Sequence, residues 1–154
     1  MINGLIADNE NFKPLLDQMD PHEWYEKKGA PSTYMLQRQT AQQQISDVVT
    51  IGKQLAQKTE DLGLALDEYF RLEALDITAR SLNEGVERYG DRATASKLAE
   101  LIAHNFDNRQ RFREYIRNLA ASIQENFNIA DQEAQRCRGI ISKEPSPTAR
   151  RSQK

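Results

Sequence analysis

A chain of 154 residues is the length of one ordinary domain and can bury a usable core. Hydrophobic residues at 38% and charged residues at 29% fall low and high for a compact globule, which fits thin helical layers with much wetted surface and argues against a membrane-embedded chain. The formal net charge is −2, but residues 136–154 hold six basic side chains against Glu144, so a basic tail follows an acidic body.

The amino terminus, MINGLIADNENFKPLL, has no basic n-region and no continuous apolar run. Nothing further along approaches the roughly 18 apolar residues of a membrane span. A cytoplasmic address is the default expectation, and an exported one would need a leader removed ahead of residue 1.

The first sharp local signal is Asp20-Pro21-His22-Glu23, an N-cap acid, a proline at the first helical position and a Glu able to close a capping box. A short helix is predicted here, ended by Gly29 and Pro31, with Trp24 docking onto the body of the protein. An earlier turn is expected around Phe12 to Met19. Residues 1–31 thus read as an N-terminal arm.

Ser32 is the next N-cap candidate, and a long helix is predicted over about Thr33 to Gln57. Ala41, Ile45, Val48 and Leu55 form its apolar stripe, while Gln37, Gln39, Gln42, Gln43 and Gln44 keep the outer face soluble. Thr59, Glu60 and Asp61 look like a fresh start, so a turn is expected near residues 58–63. The second long helix runs from about Glu60 to Tyr89. It carries apolar groups on two faces, Leu62, Leu66, Tyr69 and Phe70 and then Leu72, Leu75, Ala79, Leu82 and Val86.

Gly90 and Asp91 break that helix and cap a third, antiparallel one. Its first part carries Ala95, Leu98, Leu101, Ile102 and Phe106. Asp107-Asn108-Arg109-Gln110 resembles an internal capping box and predicts a bend. Phe112, Ile116, Leu119, Ile123, Phe127, Ala130, Ala134 and Cys137 then form a seam to Gly139, and burial of Leu119 and Ile123 would make truncation to Ala cost about 2 to 5 kcal/mol. The expected fold is all-α, an elongated antiparallel bundle of three long helices, the third bent, plus a short N-terminal helix. The bundle spans residues 32–139, with coiled-coil packing, and residues 140–154 form a disordered basic tail.

No nucleophile elbow, Cys-His constellation or Gly-rich phosphate loop is present, so an enzyme is not expected and no cofactor is implied. Glu100, His104 and Asp107 fall at helical spacing and are the candidate metal ligands, although no second His or Cys pair completes a zinc site. Arg109, Arg113 and Arg117 share one face at four-residue intervals and could form a phosphate stripe beside Phe112 and Tyr115. Ion pairing with Asp67, Glu68 and Glu73 across the hairpin is the better account, because opposed residue numbers should sum to about 181. Nucleic-acid binding is accordingly not favoured.

Cys137 continues the seam as a small hydrophobe, although Arg136 and Arg138 could lower its pKa. Val49, Ile51, Phe70 and Ile77 sit off the main stripes and need a cover. The expected function is a non-enzymatic helical interaction or scaffold module, with a protein partner or a second copy of the chain as occupant. A small-ligand or metal-binding bundle and a nucleic-acid-associated protein are the alternatives.

Overall fold

The computed structural model describes residues 1–143. Among them the order is α1 (Ile2–Glu10), α2 (Phe12–Gln18), α3 (Pro21–Lys28), α4 (Thr33–Gln57), α5 (Leu62–Tyr89) and α6 (Arg92–Lys143), with no strand. The protein is all-α. It divides into two compact units, Met1–Ile116 and a second beginning at Arg117.

The helix punctuation of the first unit follows side-chain chemistry. Asp20 accepts a hydrogen bond from the Glu23 amide at 3.0 Å, Pro21 fills the first turn, and Gly29 ends α3 in the left-handed region at φ 71°. Glu23 pairs with Lys27 instead of closing the box back onto Asp20. Ser32 precedes α4 but its side chain caps nothing. A turn at residues 58–61 separates α4 from α5, and the residue that caps α5 is Asp61, not Thr59: its carboxylate accepts from the Leu64 amide at 3.0 Å. Asp91 caps α6 by accepting from the amides of Ala93 and Thr94.

α4 packs against α5 on one side and against α1, α2 and α3 on the other. These four neighbours widen its buried stripe to Tyr34, Ala41, Ile45, Val48, Val49 and Leu55. Residues 1–31 are therefore part of the core, since Leu5, Ile6, Phe12, Leu16 and Trp24 are all buried. Two glycines permit this closeness. A Cβ on Gly52 would stand 2.7 Å from Ile6 Cγ1, and one on Gly85 2.7 Å from the Tyr34 ring. Trp24, Tyr34 and Tyr89 form a ring cluster with centroids 5.9 to 6.4 Å apart, and Lys28 Nζ donates to the Tyr89 carbonyl at the end of α5.

Asp107-Asn108-Arg109-Gln110 does not start a new helix, because α6 is helical without interruption from Arg92. Its polar side chains reach other helices instead of their own backbone: Asn108 donates to Asp8 of α1 at 2.6 Å, and Arg109 turns into α5. Gly139 does not end the helix either, since α6 continues to Lys143. The remainder of the proposed tail, 144–154, lies outside the described residues.

The apolar seam divides at the unit boundary. Phe112 is fully buried, but residues 121–138 are all exposed, including Ile123 and Phe127. The expected burial of Ile123 is thus corrected, and Leu119 is only half-buried. Periodicity marked an apolar face correctly, but no described residue covers it.

Candidate functional site

In the first unit α5 and α6 contribute side chains both to the core and to an open groove. On the core side the stripes run Ala65, Glu68, Leu72, Leu75, Ala79 and Thr94, Leu98, Ile102, Asn105, Arg109, Phe112. Four of these residues, Glu68, Thr94, Asn105 and Arg109, are polar. Glu68 is 0% exposed, neither carboxylate oxygen has a hydrogen-bond partner, and burial pushes its pKa up to about 8 against a smaller opposing pull from Arg71. It is a neutral acid at pH 7, packed beside Gly52, and not a partner for Arg113.

Arg109 is 6% exposed. Its Nη1 stands 2.8 Å from Asp76 Oδ1 and its Nε 3.2 Å from Glu73 Oε1; the antiparallel register implied the Glu73 contact, while Asp76 was not among the expected partners. Burial raises the Asp76 carboxyl, but hydrogen bonds from Arg109 and Arg80 and their charges outweigh it and hold the group below the ordinary carboxylate range. Asn9, Asp76, Asn105 and Arg109 meet around a cavity of about 10 Å³, near the lower limit for one water. The arginine stripe is therefore divided, because Arg109 is committed to the α5 acids while Arg113 is exposed.

The metal candidates are not assembled. His104 Nε2 lies 3.1 Å from Asp8 Oδ2, which also accepts from Asn108, so the imidazole serves an α1–α6 contact. Among the described residues no group of three His, Cys, Asp or Glu side chains is placed to hold a metal ion. Glu100 and Asp107 are exposed.

The other face of the hairpin carries an open groove of about 620 Å³. Arg80, Asn83 and Glu84 of α5 line one wall, and Ile102, Phe106 and Asp107 of α6 contribute to the other. Ile77 is 70% exposed one turn before Arg80, and Phe70 is exposed two turns earlier on the same side. Phe106 is exposed as well. Of the four interaction candidates, Phe70 and Ile77 thus face solvent and Ile51 is half-buried. Val49 is corrected to a core residue, covered because α4 is flanked on both sides.

Phe106 was missed as a groove residue by sequence reasoning, which counted it with the apolar residues of the first part of the third helix. The signal was present: Leu98, Ile102, Asn105, Arg109 and Phe112 keep the three-and-four spacing that excludes Phe106. No helix among the described residues is long and apolar enough to cross a membrane. In comparison with known proteins, no family model matches the chain, and no curated protein or solved structure is significantly similar to it.

Proposed function

We propose that the first unit is a non-enzymatic interaction module that receives a helical segment of a partner protein in the α5–α6 groove. The observation that carries this reading is the groove itself, lined by the apolar surfaces of Ile102 and exposed Phe106, with Ile77 70% exposed one helical turn before Arg80 of its wall. An isolated exposed isoleucine is ordinary, but Phe70, Ile77 and Phe106 supply apolar area that one hairpin leaves wet. Arg80, Glu84 and Asp107 put charges of both signs along it, which suits an amphipathic helix with apolar anchors and a mixed polar flank.

The test is a photo-cross-linking residue placed at Ile77 and, as a control, at exposed Tyr25, in the full chain expressed in its native source. A discrete adduct at position 77 that is absent from position 25 and lost on Phe106→Glu supports the groove. Adducts that are equal at both positions, or indifferent to Phe106→Glu, rule it out.

A further inference from the structure

The second unit poses a separate question, because its apolar residues are arranged and yet uncovered. Ile123, Phe127, Ala130, Ala134, Cys137 and Ile141 follow one another at alternating four- and three-residue steps, and every one is exposed in α6, Phe127 at 65%. Strict alternation is the heptad rule: Phe127, Ala134 and Ile141 take the a positions and Ile123, Ala130 and Cys137 the d positions. Ala130 and Ala134 let two helix axes approach closely at two successive layers. Glu133 then occupies a g position and Arg138 an e position.

In a parallel two-stranded coil a g residue faces the e residue five places further along the other helix. Glu133 and Arg138 are separated by that interval, so two copies in register form the pair twice by symmetry. The antiparallel registers of longest overlap are unfavourable. One opposes Arg117 to Arg138 of the other copy, and the other sets Asp131 and Glu133 against their own counterparts. Charge therefore selects both the occupant and its direction.

We propose that α6 pairs with α6 of a second copy of this chain, in parallel and in register, from Ile123 to Ile141, with Cys137 facing Cys137. This surface is distinct from the α5–α6 groove, and either reading can fail alone.

The experiment uses the full chain. Light scattering over micromolar concentrations should give a dimer mass. Diamide, which takes up two electrons and two protons as the Sγ–Sγ bond forms, should trap the wild type as a disulfide dimer, and a Cys137→Ser variant carrying Ile123→Cys should be trapped equally well. Glu133→Arg and Arg138→Glu should each raise the dimer Kd about tenfold, and the double reversal should restore it. A monomeric mass throughout overturns the proposal. So does a dimer in which an Ile123→Cys/Ala134→Cys variant lacking Cys137 shows only 123-to-134 cross-links, the mark of an antiparallel pair, or one whose charge reversals do not compensate.

Discussion

Arg109 and Asp76 stand 2.8 Å apart across the α5–α6 hairpin, joining a cation that is almost wholly buried to a carboxylate that also receives Arg80. Removing Arg109 takes the buried cation from both Asp76 and Glu73 and leaves Asp76 to Arg80 alone. Arg109→Ala should cost about 3 to 5 kcal/mol in a urea titration. Asp76→Asn combined with Arg109→Met should cost less than the two single changes together, because both charges then leave. A loss under about 1 kcal/mol for Arg109→Ala would mean that the pair behaves as a surface ion pair.

Glu68 and Asp76 give opposite pH dependences. The Glu68 pKa rises from 4.5 to about 8 on folding, so the folded state holds more protons than the unfolded one between those values. Stability from this group is complete below about pH 4.5 and declines as pH climbs to about 8, at up to about 1.4 kcal/mol per pH unit. Asp76, held low, contributes above the ordinary carboxylate range and loses its contribution as acid protonates it. Denaturation of Glu68→Gln between pH 5 and 8 should show a flattened profile; an unchanged slope would assign the dependence elsewhere.

Gly4 and Gly85 both lie inside helices but should respond oppositely to alanine. Nothing lies within 4 Å of a Cβ at Gly4, so Gly4→Ala should gain about 0.5 to 1 kcal/mol from backbone entropy. At Gly85 the methyl would press on the Tyr34 ring, and overpacking of about 1 to 3 kcal/mol exceeds the propensity gain. Thermal melts giving Gly85→Ala a higher Tm than wild type would contradict this packing.

Phe112 and Ile123 provide a test of where the core stops. Phe112→Ala should destabilise by about 3 to 5 kcal/mol, whereas Ile123→Ala in dilute protein should stay within about 0.5 kcal/mol. Equal losses at the two positions in guanidinium titrations would return the second half of α6 to the folded core.

The contrast between Phe112 and Ile123 also marks the limit of what periodicity conveys. A repeat of three and four residues says that a face is apolar, not which surface meets it, so both residues looked alike in the sequence. Punctuation was read more securely. Thr33–Gln57 emerged with its observed bounds, and Asp20, Pro21 and Gly29 delimit α3 as their chemistry requires. α1 passed unnoticed because it offers no cap and ends its short stripe on Asn9, whose amide donates to the Leu5 carbonyl. Glu68, Asn105 and Arg109 were not read as core residues, for a related reason. Each occupies a core position in a regular stripe, and counting only apolar residues moved the inferred face toward Leu66, Leu101 and Phe106, two of which are exposed.

The aromatic trio beneath α3 supplies a spectroscopic handle. Trp24 is the single tryptophan of the chain and is 3% exposed, edge-on to Tyr34 of α4 and tilted against Tyr89 of α5. Its emission consequently reports the docking of residues 21–28 and little else, while the far-UV ellipticity is dominated by α4, α5 and α6. Followed together, a red shift of the indole that precedes loss of ellipticity would time the detachment of the amino-terminal helices, and the native protein can be watched in this way without any label.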